Sequence, residues 1–295
     1  MEDETTQHSA AAGIALPHPA ADMPDAVEAA FGLLEAGLDV LELMNADEPV
    51  LSREQIAAVT GLDGALLDRV IGALLARGLI DHAPEADGYM AGVKTLELAY
   101  AYQHEAPLVH AANPVLRAIS AELDETTMLA VRWDDYRCYI AQVESQRPFR
   151  RTIPLGKLKQ LYIGAAGKIL LGGLTDDELE DYLARVPLES VSATTTTDRD
   201  ALKRTVARIR ETGLAETFSE RNLGGASFGA AIRNSEGRIT AALIVSIPLV
   251  RYRPELRNKI MGSLKQGAEE ISDRCFRRQD RGGSGRATPP GRREV

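Results

Sequence analysis

The sequence predicts a mixed fold class, α+β or α/β, with two domains joined by a helix. Three observations support this prediction. At 295 residues the chain is long enough for two hydrophobic cores. Residues 26–92 show three helical periods followed by two short strand patterns, which is typical of a winged helix. Residues 107–274 alternate between helix and strand patterns, which predicts a larger domain of mixed secondary structure.

Composition and helix breakers set the remaining domain limits. Residues 1–25 are rich in Ala and Pro without a sustained period, so we expect a disordered arm. Residues 93–106 predict a linker helix, which Pro107 closes. Residues 275–295 are rich in Gly, Pro and Arg, which predicts a disordered basic tail.

Local signals define the elements of the winged helix. The spacing of apolar residues over 26–44 predicts the first helix. Ser52 is placed to N-cap the second helix, with Gln55 closing a capping box. The third helix should end at Gly78. Its predicted apolar face comprises Leu66, Val70, Leu74 and Leu75, and the two wing strands are predicted at Leu79-Ile80 and Tyr89-Met90.

The larger domain is predicted to contain five helices and five strands. The predicted helices cover residues 110–123, 167–174, 176–186, 198–212 and 254–274. The predicted strands cover residues 126–133, 137–145, 215–220, 226–234 and 238–248. The stretch Asn234-Ser-Glu-Gly has the composition of a hairpin turn between the last two strands.

Charge and cysteine content exclude several classes of protein. The net charge of −9 is uneven, since residues 1–95 hold 17 Asp and Glu against four Lys and Arg, a balance of −13. No apolar run approaches the roughly 20 residues of a membrane helix, and the acidic opening MEDETTQHSA is not a secretory signal. Cys138 and Cys275 lie far apart, which indicates neither a disulfide framework nor a metal site. We expect a cytoplasmic protein without metal, cofactor or membrane contact.

Four stretches in order carry a family resemblance: LEAGLDVLELM at 34–44, AAGKILLGGL at 165–174, GLAETFSERNLGG at 213–225 and RITAALIVSIP at 238–248. From about residue 30 to 274 the chain resembles the IclR family of bacterial regulators. The resemblance implies an N-terminal winged helix that binds DNA and a C-terminal domain that binds a small-molecule effector. It also implies self-association as a dimer or tetramer.

The DNA-reading helix departs from the family pattern. Members commonly offer Lys, Ser and Thr at the start of this helix, whereas this sequence has Gly64, Ala65 and Leu66, with Asp68 before Arg69. Side chains of Lys, Ser and Thr donate to phosphates and position a reading helix in the groove. Gly, Ala and Leu have no side-chain donor, and the charge of Asp68 repels the DNA backbone. The departure predicts weakened DNA binding.

Two further positions support the same interpretation. Ala36 stands where the family commonly has Arg in the first helix, and the wing segment at 81–90 contains neither Lys nor Arg. Phosphate neutralisation supplies most non-specific affinity for DNA. The remaining candidates for DNA contact are Arg53 and Arg69.

The effector pocket implied by the resemblance lies at the AAGK-like loop. By position, Gly164, Ala165 and Ala166 would present backbone amides at a helix N-terminus. Such amides suit a carboxylate or a polarised carbonyl group. The alternative is a tight turn that needs small residues for packing. The two interpretations are compatible.

The opposite wall of this pocket has lost polar groups relative to the family. Phe218 stands where the family commonly has an acid, and Ile244 replaces the first of two serines, of which Ser246 remains. Ser227 stands at a family cysteine, and Glu220 matches the family. Because apolar surface replaces polar anchors, the predicted ligand is apolar or aromatic.

Two aromatic residues and one catalytic alternative complete the site predictions. Tyr162 is a candidate for stacking on the ligand, while Phe228 is expected to pack in the core. If the protein were an enzyme, Tyr162, Glu220, Ser227 and Ser246 would form its acid/base set. No nucleophile elbow, Gly-rich dinucleotide loop or paired-His spacing accompanies them.

Three functions therefore remain. The first is a ligand-responsive transcriptional regulator. The second is a repurposed enzyme of secondary metabolism, acting on an aromatic or polyketide-like substrate, with the winged helix kept for dimerisation. The third is a ligand carrier, or a partner subunit that titrates a related regulator. We take the first as the leading hypothesis because the sequence shows no catalytic motif.

Overall fold

The computed structural model describes residues 25–44, 49–221 and 223–277. The chain divides between Thr95 and Leu96 into two compact units. The predicted arm (1–25) lies outside the described residues except for Asp25, which begins a helix. The predicted tail (275–295) lies outside them except for residues 275–277, which are helical and include the buried Cys275, so the predicted boundary of the tail is too early. No helix in the described part is long and apolar enough to cross a membrane.

The N-terminal unit contains helices α1 (Asp25–Leu43), α2 (Arg53–Thr60) and α3 (Gly64–Ala76). The predicted capping box on α2 is confirmed, since the Ser52 side chain accepts from Gln55 N at 3.2 Å and Ser52 N donates to the Gln55 side chain at 2.7 Å. Each bond satisfies an amide that the first turn of a helix leaves free.

The buried face of α3 differs from the prediction. Leu67, Val70, Ile71 and Leu74 are buried, whereas the side chain of Leu66 is 46% exposed. At about 100° per residue, Leu66 lies roughly 90° from the centre of this buried stripe. The prediction that placed Leu66 on the apolar face is therefore wrong.

Three short strands complete the N-terminal unit: β1 (Val50–Leu51), β2 (Ile80–His82) and β3 (Tyr89–Ala91). They form an antiparallel sheet in the order β1-β3-β2, and β1 was not predicted. The core beneath this sheet includes Ala36, which is 3% exposed. Ala36 therefore faces the core and is not part of the outer surface.

The second unit is built on a six-stranded sheet of antiparallel pairs in the order β6-β5-β4-β9-β8-β7. Its strands are β4 (Thr126–Trp133), β5 (Tyr136–Val143), β6 (Leu158–Gln160), β7 (Leu214–Phe218), β8 (Gly225–Arg233) and β9 (Ile239–Pro248). Its helices are α5 (Pro107–Leu123), α6 (Gly164–Leu171), α7 (Asp176–Arg185), α8 (Arg199–Thr212) and α9 (Pro254–Ser272). Helix α4 (Val93–Glu105) joins the two units. The predicted mixed fold class is confirmed.

Each face of the six-stranded sheet carries its own core. Leu243, Val245 and Ile247 of β9 pack with α5 and α9, and this side is called the α9 face. The alternate residues Ala242 and Ile244 pack with α6, α7 and α8, and this side is called the α6 face. Because side chains alternate along a strand, residue parity assigns each position to one of these faces.

Candidate functional site

The turn that begins α6 is closely packed. Gly164 has φ +79°, a left-handed conformation that favours glycine. Ala165 and Ala166 are each 1% exposed. A Cβ added to Gly167 would lie 2.0 Å from the carbonyl oxygen of Leu161. Only small residues allow α6 to lie this close to the segment that precedes it. This agrees with the interpretation that these positions are small because of packing.

The first amide of α6 already has a carboxylate partner. Gly164 N donates to Glu220 Oε2 at 2.7 Å. The other oxygen, Glu220 Oε1, accepts from the Lys168 ammonium and from Thr196 N and Oγ1, the latter two at 3.4 and 3.2 Å. The side chains of Lys168 and Glu220 are 6% and 4% exposed. The chain's own carboxylate thus binds one of the three amides, that of Gly164, at which a ligand carboxylate or carbonyl was expected.

The loop before α8 holds Glu220 in this position. Ser192 Oγ and Thr195 Oγ1 both donate to the carbonyl oxygen of Glu220, at 2.8 and 2.9 Å. Ser219 precedes it with φ +52°, which turns the chain sharply at the end of β7. Lys168 was not among the predicted site residues. Its charge within the apolar stretch AAGKILLGGL was a sequence signal that could have identified it.

A row of four hydroxyl side chains crosses the α6 face. Ser246 of β9 pairs with Ser227 on one side and Thr126 on the other, and Ser227 pairs with Thr217. Cross-strand partners share a face, and Ser246 shares the α6 face with Ile244 two residues earlier. Thr217, Ser227, Ser246 and Thr126 are called the hydroxyl row.

Most of this row has no partner within the protein. Thr126 Oγ1 accepts from Ser145 N at 3.2 Å. The hydroxyls of Thr217, Ser227 and Ser246 make no hydrogen bond with the described residues, although Ser246 is only 4% exposed. Within the described part of the chain, Arg137 Nε is the one fully enclosed side-chain nitrogen or oxygen without a partner. The Ser246 hydroxyl oxygen therefore still has solvent contact, and it can meet a ligand.

Arg151 lies on the same face as the hydroxyl row. A Cβ added to Gly225 would lie 2.9, 3.0 and 3.2 Å from Cζ, Nη2 and Nη1 of Arg151, so the guanidinium covers Gly225. Gly225 precedes Ser227 by two residues on β8 and shares its face. Arg151 is half-buried and makes no hydrogen bond or ion pair with the described residues. No sequence motif marked this residue.

The Tyr162 side chain is buried and hydrogen-bonded within the protein. Its hydroxyl donates to the carbonyl of Glu189 at 3.0 Å and accepts from Glu189 N at 3.1 Å. The residue is fully buried, and burial raises the pKa of the Tyr162 phenol. Both hydrogen-bonding functions of the hydroxyl are therefore used, and the structure provides neither an open stacking face nor a free acid at this position.

The structure places Phe218 on the opposite side of the sheet from the hydroxyl row. Phe218 pairs with Ala226, which belongs to the core of the α9 face. Its ring packs edge-to-face on Phe228 and Tyr252, with centroids 5.8 and 5.0 Å away. The expectation that Phe218 shares a wall with Ser227 and Ser246 is therefore wrong. Neighbouring residues of a strand point to opposite faces, and it is Thr217, not Phe218, that pairs with Ser227. Phe228 lies in the core, as expected.

A surface cleft of about 330 Å³ lies elsewhere in the second unit, between the end of α8, the start of β7 and α9. Its lining includes Glu211, Arg233 and Lys265, and it contains none of the predicted site residues. Across the described residues, no three His, Cys, Asp or Glu side chains form a group able to hold a metal ion.

The outer surface of α3 offers one unpaired cation. Arg53 Nε and Nη2 both donate to Asp68 Oδ1, at 3.2 and 2.8 Å. This hydrogen bond and the charge of Asp68 raise the pKa of the Arg53 guanidinium. Arg69 is exposed and has no ion-pair partner among the described residues. Of the two predicted DNA contacts, one is thus bound to an acid of the reading helix itself.

The chain matches the family model of the bacterial transcriptional regulator IclR C-terminal domain over residues 100–273. It is 28% identical to the Pca regulon regulatory protein of Pseudomonas putida, over 82% of this chain and 84% of that protein. A solved transcriptional regulator from Rhodococcus sp. RHA1 is 27% identical and superimposes with a TM-score of 0.71, covering 82% of this chain and 97% of that one.

A second solved structure shows the same fold with a bound molecule. It is an IclR homolog from Microbacterium hydrocarbonoxydans complexed with 4-hydroxybenzoate. Its identity to this chain is 22% with a TM-score of 0.70, over 82% of this chain and 98% of that one.

Proposed function

The chain belongs to the IclR family of bacterial transcriptional regulators and carries the effector-binding C-terminal domain of that family; we propose that its effector is a small, largely aromatic compound bound on the α6 face. The observation that carries this proposal is the hydroxyl row, in which Thr217, Ser227 and Ser246 make no hydrogen bond with the described residues although Ser246 is buried. Buried polar groups in native proteins are normally hydrogen-bonded, so three neighbouring hydroxyls without a partner are candidates for contacts with a ligand.

The surroundings of the hydroxyl row support an apolar body for this ligand. Met128 and Ile244 flank the row on the same face, and Ala165 lies in the same core. Binding to such a lining is favourable mainly because apolar surface is removed from water, while a few hydroxyls fix the orientation of the ligand. The 4-hydroxybenzoate bound by the Microbacterium homolog combines an apolar ring with polar ends.

The DNA-reading surface is proposed to neutralise few phosphates. Arg53 is held by Asp68, and the exposed face of α3 carries Ala65 and Leu66 beside Arg69. Salt-dependent affinity for DNA grows with the number of phosphates that cations contact. Binding to an operator would therefore depend on Arg69 and on backbone amides more than in a regulator with a basic reading helix.

Ligand binding is tested by thermal unfolding of the full-length protein with benzamide, benzyl alcohol and 4-hydroxybenzoate. A ligand that binds only the folded state stabilises it by about 2.7 kcal/mol at a hundred times its Kd. We expect stabilisation by at least one aromatic probe, and its loss in Ala165→Leu, because that position is closely packed. Ala207→Leu on the exposed side of α8 is the control and should keep the stabilisation. An undiminished shift in Ala165→Leu would place the ligand elsewhere.

A further inference from the structure

Three exposed apolar side chains lie in loops at one end of the six-stranded sheet. Phe149 follows β5, Leu223 lies between β7 and β8, and Val250 follows β9. Their exposed fractions are 66%, 86% and 71%. The strand pairings bring the end of β5, the start of β8 and the end of β9 to the same edge of the sheet. We call these three side chains the apolar patch.

Two of the three loops continue the pairing of β8 with β9. Leu249 N donates to the carbonyl oxygen of Gly224 at 2.8 Å, which extends the antiparallel register one residue beyond the last pair of the two strands. The next residues outward in this register are Leu223 and Val250. The two most exposed members of the apolar patch therefore lie at the same point of the sheet end.

Arg251 ties the remaining loop to this point. Its Nη1 donates to the carbonyl oxygen of Phe149 at 2.7 Å. Its Nε and Nη2 donate to the two carboxylate oxygens of Glu125, both at 2.6 Å, and the Glu125 side chain is only 2% exposed. Because this bidentate pair fixes the guanidinium, the Phe149 loop is held before any partner binds. A surface that is already ordered loses less conformational entropy on binding.

Cations flank the apolar patch. The first loop carries Arg147 and Arg150, which form exposed ion pairs with acids of the same unit. The third loop carries Arg253, whose Nη1 donates to two backbone carbonyls and which pairs with none of the described acids. Residues 146–153 and 249–253 together contain five Arg and no Asp or Glu. A molecule that covers the patch therefore meets positive charge around it.

These features distinguish between possible partners. A second copy that docked through the same patch would bring arginines against arginines, because a two-fold contact pairs a surface with itself. A nucleic acid would place phosphates against three apolar side chains. An acidic peptide with apolar side chains suits both parts of the surface, since its carboxylates can accept from the arginines while its apolar groups cover the patch.

We propose that the apolar patch, together with Arg147, Arg150 and Arg253, binds an acidic segment of a partner protein that also carries apolar side chains. Aromatic residues and arginine are enriched in protein interfaces of this kind. None of these residues belongs to the hydroxyl row, so the inference is independent of the proposed effector.

The proposal is tested by fluorescence anisotropy of a labelled peptide of Glu, Leu, Phe and Ser, titrated with the full-length protein. Two matched peptides carry Gln in place of each Glu, or Ser in place of each Leu and Phe. Wild type should bind the first peptide at least about tenfold more tightly than the Gln peptide, because charge-assisted hydrogen bonds are the stronger ones. It should also prefer the first peptide to the one without Leu and Phe, because that peptide cannot cover the apolar patch.

Variants at exposed positions locate the binding surface without disturbing the core. Leu223→Ser should weaken binding of the first peptide by about fivefold or more, as expected for a central interface residue. Val191→Ser is the matched control, because Val191 is a 50% exposed apolar residue of another loop, and it should keep the affinity. Arg253→Gln should also weaken binding. Arg208→Gln should not, because Arg208 is an exposed arginine of α8 without an ion-pair partner among the described residues.

Three outcomes would overturn the proposal. The first is wild-type binding that does not distinguish the three peptides, or no binding at high micromolar concentration. The second is wild-type affinity in both Leu223→Ser and Arg253→Gln. The third is assignment of the patch to another partner. A lower mass of Leu223→Ser in light scattering would assign it to a second copy of the chain, and DNA binding of unrelated sequence that requires Arg253, without peptide binding, would assign it to nucleic acid.

Discussion

Gly167 decides how closely α6 approaches the chain that precedes it. A Cβ at this position would lie 2.0 Å from the carbonyl oxygen of Leu161, and backbone cannot move aside as a side chain can. The two alanines before it are also buried. Small residues in this segment are thus required by packing, independently of any ligand.

We expect Gly167→Ala to lower the free energy of unfolding by about 3 kcal/mol, at the upper end of the cost of overpacking. Gly262→Ala is the control, because Gly262 lies exposed within α9 with no atom within 4 Å of an added Cβ. It should raise stability by about 0.5–1 kcal/mol through helix propensity. Urea unfolding measures both variants. Equal stability of the two would show that the segment relaxes around the clash.

At the scale of elements, local sequence signals were sufficient wherever the interaction is local. The hairpin turn at Asn234 was predicted from its composition and is confirmed, with Gly237 N donating to Asn234 O at 3.0 Å. The capping box of Ser52 was equally readable. Strands β1 and β6 were missed because two or three residues show no period.

Contacts between distant segments were not readable from such patterns. Glu220 and Lys168 lie 52 residues apart, and no periodicity links them. Phe218 was assigned by alignment to a wall of the pocket, but the side of a sheet depends on the parity of the strand residue. Pairing with Ala226 places it on the α9 face.

Two helices present matching apolar stripes. On α1, Phe31, Leu34 and Leu38 are 49%, 58% and 50% exposed. On α4 the exposed apolar residues Val93, Leu96 and Tyr100 repeat the same spacing, and this helix has no buried residue. Contiguous exposed apolar surface of this kind marks association sites. We propose that these stripes are buried between copies of the chain.

Light scattering of the full-length protein should show a dimer or tetramer. Replacing Leu34 and Leu38 by Lys should shift the mass toward the monomer, because two charges would enter an apolar interface. The control variant, Glu35→Gln with Asp39→Asn, changes the net charge by the same amount at exposed polar positions of α1 and should keep the assembly. A monomeric wild type at all concentrations would contradict the proposed interface.

At the scale of the whole molecule, the negative charge is concentrated in the N-terminal unit, which disfavours contact of this unit with the phosphates of DNA. The chain up to residue 95 carries a balance of −13, while the remainder carries +4. In the exposed ion pair of Arg53 with Asp68, the charge of one of the four basic residues of this unit is offset by a carboxylate. The family fold is retained, and we propose that the electrostatic attraction to phosphates is reduced.

The most direct test is the salt dependence of binding to DNA from upstream of the protein's own gene, measured by fluorescence anisotropy between about 50 and 200 mM salt. The slope of log affinity against log salt is about −0.9 per phosphate contacted. We predict a magnitude below about 4 for the wild type. Asp68→Asn should increase both affinity and slope by releasing Arg53, whereas Asp63→Asn, the same charge change at an N-cap that makes no side-chain bond, should leave the slope unchanged. A wild-type slope of about 6 or steeper, unaffected by Asp68→Asn, would contradict the proposal that this regulator reads DNA with few phosphate contacts.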